Sequence, residues 1–227
     1  MKKFLLVLTL IFAGMAVSAQ EFADSSNNIW NNIGKKEQKV YNIGAKILYA
    51  NKIQKRIVFY LNDSKTVNAF AAYDNKSVNI NKGMLNYIDN DDELAAVISH
   101  EIAHNLDYNS GFGKAIAMNF NARPYEYKAD IVGIDLMVKA GYNPIAMITI
   151  MNKISGERVF SLHHILRQHP ATSKRLMNDY KHIYKNYPQY LSSDMTKNIN
   201  YLNWVNTAQE DINQFKQESA SKGKNNL

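Results

Sequence analysis

"AVISHEIAHNL", residues 96–106, sets two histidines one helical turn apart, with a glutamate directly after the first, inside a mostly apolar run. Ionisable groups in such a segment need partners or a metal, because a charge taken out of water without compensation is strongly unfavourable. On an α-helix His100 and His104 share one face, so both imidazoles reach a single ion. Glu101 lies about a hundred degrees further around the helix, close enough to take a proton from an attacking water without ligating the ion itself. Two neutral nitrogen ligands with a neighbouring carboxylate are what a zinc hydrolase requires. The chain has no cysteine, so one zinc ion here must be held by histidines and carboxylates.

Just upstream, Leu94 to Ile98 are all apolar, and Asn90, Asp91, Asp92 and Glu93 supply a cap and an acidic first turn. This predicts an enclosed helix running to about Asp107. The third ligand is not where the longer motif HExxHxxGxxH would put it, since positions 107 and 110 are Asp107 and Ser110. "YEYKAD", residues 125–130, offers Glu126 and Asp130 on one face of the next helix, and Gly133 on the same side allows close approach of another helix. The expectation is that Glu126 ligates zinc while Asp130 accepts the second N–H of a ligating histidine, which fixes its tautomer and orientation.

Periodicity supplies the remaining elements. Residues 24–50 carry apolar positions at helical spacing. "RIVFYLN", 56–62, reads as a strand, and 66–83 as two more strands around an Asp74-Asn75 turn, giving a small antiparallel sheet. Helices are expected over roughly 124–140, 144–154 and 172–185, followed by one final amphipathic helix through Met195, Leu202, Ile212 and Phe215. The fold class is α+β: a mainly helical body with a small sheet.

The first nineteen residues have the order of a secretory signal, with Lys2 and Lys3, an apolar stretch from Phe4 to Val17, and small residues up to Ala19. The expected organisation is a signal peptide over 1–19, one domain over 20–190, and a C-terminal amphipathic helix with a frayed tail over 191–227. No later stretch approaches the length of a membrane span, so an exported, periplasmic protein, soluble after cleavage, is expected. The formal charge is +7, or +5 once Lys2 and Lys3 are removed, but the basic residues are scattered and form no nucleic-acid motif. No nucleic-acid partner is expected. Peripheral association with the envelope membrane or its protein complexes fits the charge better.

"DELAAVISHEIAH" followed by "YEYKAD" resembles the zinc metallopeptidases of the HtpX and CAAX-prenyl-protease type, gluzincins marked by HExxH and a downstream ExxxD. The resemblance extends to "VNAFAAYDNKSVNINKGML", "AGYNP" and "HPATSKR", over about residues 57–180. Two departures stand out: Tyr73 to Lys76 replace the family's Pro-Gly-Gly turn, and the integral-membrane helices of the founding members are missing. The resemblance implies a zincin-like metallopeptidase domain whose edge strand, here Asn68, Ala69 and Phe70, borders the active-site cleft and pairs with an extended polypeptide substrate. It also implies that His169 and Arg175 lie near the metal and donate hydrogen bonds to the oxyanion. A second reading has His169 swing onto the open zinc position and plug it. The implied function is an endopeptidase acting on unfolded or misassembled envelope proteins, with Glu101 as general base. The rival is a metal-containing binding or chaperone-like module, its zinc structural or capped by His169 and its C-terminal helix a recognition surface.

Overall fold

The computed structural model describes residues 34–72, 76–107, 123–156 and 173–224. By its contacts the chain divides into Met1–Gln38 and Lys39–Leu227. Of the first unit, residues 34–38 are described; they open helix α1 (Lys35–Ala50), where the Gln38 N–H donates to the Gly34 carbonyl. The signal-like segment lies outside the described residues, as does the expected helix before residue 34.

In the second unit, helix α2 (Asp91–Asp107) lies at the centre. Its start is dictated by Asn90 and Glu93. Asn90 Oδ1 accepts from the Glu93 N–H at 2.9 Å, and Glu93 Oε2 accepts from the Asp89 N–H at 2.9 Å. Asn90 thereby satisfies a donor that an open helix end would leave orphaned, and Glu93 reaches back to the backbone just before the cap. Every residue from Glu93 to Asn105 is buried, the pattern of a helix enclosed on all sides. Strands β2 (Ala69–Ala71) and β3 (Ser77–Asn81) cover one flank, and helices α3 (Arg123–Lys139) and α4 (Ile145–Gly156) cover the others.

The sheet corrects one expectation. It is mixed, not antiparallel throughout: the order is β1-β3-β2, with β1 (Val58–Asn62) parallel to β3 and β2 antiparallel to it. The short β2–β3 connection forces an antiparallel pair, whereas the chain between Asn62 and Ser77 is long enough for the crossover a parallel pair needs. The parallel register sets Phe59 beside Val78 and Leu61 beside Ile80, so apolar side chains of both strands face the core together. Alternation along one strand carries no information about the direction of its neighbour. The β2 strand is an edge, as its place in the order requires; the Asp74-Asn75 turn lies outside the described residues.

Helix α1 buries Val40, Ile43, Gly44 and Ile47 along one stripe. Helix α3 ends where Gly141 takes a left-handed φ of 79° and the Tyr142 N–H reaches back to the Met137 carbonyl. Helix α5 (Ser173–Asn186) packs on α3 and α4. In place of one final helix there are two, α6 (Ile199–Thr207) and α7 (Gln209–Lys224), parted at Ala208. One apolar stripe is thus shared between two surfaces: α6 packs on α4 and α7 on α5. Trp204 and Phe215 both close on Tyr180, with ring centroids 5.5 and 6.4 Å away. No helix among the described residues is long and apolar enough to cross a membrane.

Glu93 has no exposure and lies 2.8 Å from Nζ of Lys153, while the Thr149 hydroxyl donates to its other oxygen at 3.1 Å. Both partners come from α4, so this buried pair fastens α4 to the start of α2. Removing one member of such a pair leaves an uncompensated charge in the core. Lys153→Met is therefore expected to lower the unfolding free energy by about 3 kcal/mol in urea titrations, with the helical circular-dichroism signal retained.

Candidate metal centre

Helices α2 and α3 run in opposite directions along each other. His104 meets Glu126 near one end, Lys128 pairs with Asp107 beyond it, and His100 meets Asp130 a turn further along. The HEIAH spacing puts two imidazoles on the α3-facing side of α2, and the ExxxD spacing puts two carboxylates on the α2-facing side of α3. The four side chains meet in the interior, each at most 7% exposed.

The donor atoms converge tightly. Nε2 of His104 is 3.1 Å from Nε2 of His100 and 3.1 Å from Oε1 of Glu126, and His100 Nε2 is 3.4 Å from Oε2 of Glu126. Ligands about 2.0–2.1 Å from a tetrahedral zinc stand about 3.3 Å from one another, so each of these contacts has the length expected between two ligands of one ion, and one Glu126 oxygen with the two imidazole nitrogens gives donor atoms all within 4.8 Å of one another. Among the described residues, His100, His104 and Glu126 form the one group of three with ligand atoms so arranged. The donor set of two imidazoles and a carboxylate suits zinc, and it leaves a fourth position for water or substrate.

The surroundings favour a cation. Burial opposes the charged form of His100, yet Asp130, with Nδ1 to Oδ1 at 2.9 Å, and Glu126 outweigh it and lift its pKa to about 10. Burial dominates at His104 and pushes its pKa down, which keeps the ring neutral and able to coordinate. The negative field that favours an imidazolium at His100 favours a divalent ion for the same reason.

Arg175, from α5, lies behind these groups. Its Nε and Nη2 donate to the two oxygens of Asp130, each at 2.6 Å, and Nη1 is 2.9 Å from Oε2 of Glu126. Burial opposes its charge, but the two carboxylates raise its pKa and hold it protonated. Arg175 in turn offsets the burial of Asp130, whose pKa falls below the usual carboxylate range. The expectation set Arg175 at the oxyanion; in the structure its guanidinium is 3% exposed and engaged with both carboxylates.

Asp179, one turn after Arg175, went unnoticed in the sequence. It is fully buried, and burial together with nearby Asp130 pushes its carboxyl well above the usual range. The i, i+4 spacing from Arg175 was the available signal, but on an amphipathic helix that spacing looks like an ordinary surface pair. Glu101 is buried on α2, and the Asn105 side chain, which donates to the Glu101 carbonyl, also donates to the Ser77 carbonyl of β3. The HEIAH turn of α2 is thus tied to the sheet. Asn68 and Ala69 are buried at the start of β2, and Phe70 is half-buried. His169 lies outside the described residues, as do His163 and His164.

Glu126→Ala is expected to abolish stoichiometric zinc binding, as read by metal analysis after dialysis; retained zinc would remove Glu126 from the ligand set. Arg175→Met, which leaves two buried carboxylates without their cation, is expected to cost about 3–5 kcal/mol in the metal-free protein. Part of that loss should return on zinc addition in the same denaturation experiment.

A family model described as peptidase family M48 matches residues 34–113 and 108–179, more than half of the chain. The chain is also similar to the beta-barrel assembly-enhancing proteases of Escherichia coli strain K12, Shigella flexneri and Escherichia coli O157:H7. Each is 23% identical over 181 residues. The match takes in 61% of this chain and 37% of each relative, so the chain spans well under half the length of the curated relatives it matches. The span of the family match includes both helices that bear the converging histidines and carboxylates, and on that ground the chain belongs to peptidase family M48, a family of zinc metallopeptidases.

Proposed function

We propose that the protein is an exported zinc endopeptidase, with His100, His104 and Glu126 as metal ligands and Glu101 as general base. The observation that carries this reading is the convergence of one donor atom each from His100, His104 and Glu126, all within 4.8 Å of one another, from two helices of a peptidase-family domain. When bound, the metal supplies Lewis acidity that polarises a scissile carbonyl and acidifies water. The chain's own residues supply the rest. Glu101, beside both histidines on α2, takes a proton from the attacking water and passes it to the leaving amine. Asp130 holds the His100 ring through Nδ1, which would present Nε2 to the metal. Arg175 is assigned to positioning Asp130 and Glu126. Hydrogen bonding to the oxyanion then falls to His169, on the strength of the family resemblance.

Backbone register supports β2 as the substrate edge. The Asn81 N–H donates to the Asn68 carbonyl and the Ala72 N–H donates to the Ser77 carbonyl. In an antiparallel ladder the bonding alternates, so residues 68, 70 and 72 direct their backbone groups to β3, and Ala69 and Ala71 direct theirs away from it. Ala71 is the more accessible of the two. Pairing through main-chain groups gives affinity with little sequence selectivity, which suits unfolded chains. We propose unfolded or misassembled envelope polypeptides as the substrates. The signal-like first nineteen residues and the similarity to proteases named for β-barrel assembly support this choice.

The test compares the protein with its Glu101→Gln variant. Both are expected to hold one zinc, while cleavage of an unfolded protein such as reduced casein should fall by about 100-fold or more in the variant. Equal cleavage by both would remove Glu101 from the chemistry. Zinc-loaded but inert wild-type protein would favour the binding or chaperone-like module instead.

A further inference from the structure

Helix α3 touches α2 at Gly133. A Cβ at this position would stand 3.1 Å from the backbone nitrogen of His100, 3.3 Å from its Cα, and 3.1 Å from Cε of Met147. Carbon atoms at rest against each other keep about 3.5–4.0 Å, so something must give. The Met147 terminus can swing aside, because its side chain is flexible. The His100 backbone cannot, because it lies inside the hydrogen-bonded ladder of an enclosed helix.

We propose that Gly133 is a positioning residue of the metal centre: its missing side chain sets the separation of α2 and α3 at which His100 and Glu126 converge on one ion. The inference rests on the metal-ligand reading above. Glu126, Asp130 and Gly133 lie one and two turns apart on the same face of α3, so the face that carries a ligand and its brace also carries the point of contact. Widening the helix pair by a few tenths of an ångström lengthens both the 3.4 Å His100–Glu126 and the 2.9 Å His100–Asp130 separations. The carboxylates cannot follow His100, because Arg175 holds both of them from α5. Metal coordination tolerates errors of only about 0.2 Å. Glycine is also a poorer helix former than alanine, so this position in the interior of α3 goes against local preference, and the contact supplies the reason.

The test compares wild type, Gly133→Ala, Gly133→Ala/Met147→Ala and Gly44→Ala. The last is a packing control, because a Cβ there would meet the Phe59 ring at 2.5 Å, outside the metal centre. Zinc affinity is read by competition with a chromophoric chelator, and coordination geometry by the visible absorption of the cobalt(II)-loaded protein. Gly133→Ala is expected to bind zinc at least about ten-fold more weakly and to show a changed cobalt spectrum. The double variant should stay impaired, because the His100 backbone remains in the way, and it serves as the readable form if the single variant does not fold. Gly44→Ala should melt at lower temperature while its folded form keeps wild-type zinc affinity and cobalt spectrum. Wild-type affinity and spectrum in Gly133→Ala would overturn the proposal. So would full recovery in the double variant, which would put the conflict at Met147, and so would loss of zinc affinity in the Gly44 control. Wild-type protein that binds no zinc would overturn the metal-ligand reading, and this inference with it.

Discussion

Everything in the centre depends on the contact between His100 and the carboxylates of α3. Its two ring nitrogens face two different acids, Nε2 toward Glu126 and Nδ1 toward Asp130. A histidine, two carboxylates and an arginine in a buried interior are tolerable only if each meets its counterpart, since the desolvation of each charge must be offset locally. That requirement fixes the rotamer of each side chain more firmly than packing alone. It also explains why a site so polar lies beneath an otherwise apolar core of Leu94, Ile98, Ile102, Ile134 and Met147.

The order of the groups matters as much as their charges. Arg175 stands behind Asp130 and Glu126, Asp130 stands behind His100, and His100 faces His104 and Glu126. Each layer is oriented by the one behind it, and the layers come from three helices, α5, α3 and α2. The support for a metal site is thus spread over segments distant in sequence, as outer-shell support of a metal commonly is. The Glu93–Lys153 pair plays the corresponding part at the other end of α2, fixing α4 against its first turn. Helix α2 is therefore held by charge at its start, by carboxylates at its two histidines, and by Asn105 to the sheet near its end.

The edge strand and the helix pair are set by different physics. The side of β2 that turns away from β3 follows from the alternation of an antiparallel ladder, and it is fixed once the short β2–β3 connection forms. The separation of α2 and α3 follows from one residue without a side chain. Both are properties of the backbone.

Local rules were enough to read much of this molecule from its sequence. The i, i+4 pairs His100–His104 and Glu126–Asp130 each share a helix face by geometry alone. The start of α2 was legible because Asn90 and Glu93 satisfy helix donors within one turn, and the stripes of α1, α5 and the C-terminal segment follow from apolar spacing. What the sequence could not carry were relations between elements. The parallel pairing of β1 with β3 depends on how two strands share a core face, and the break at Ala208 depends on two separate surfaces receiving one stripe. The place of Arg175 behind Asp130 and Glu126, and the burial of Asp179 beside it, were decided by the docking of α5 on α3. Periodicity tells which face of an element is buried, because side-chain direction is a local property of the backbone; which partner that face meets is settled only when distant charges and surfaces must satisfy one another in the folded chain.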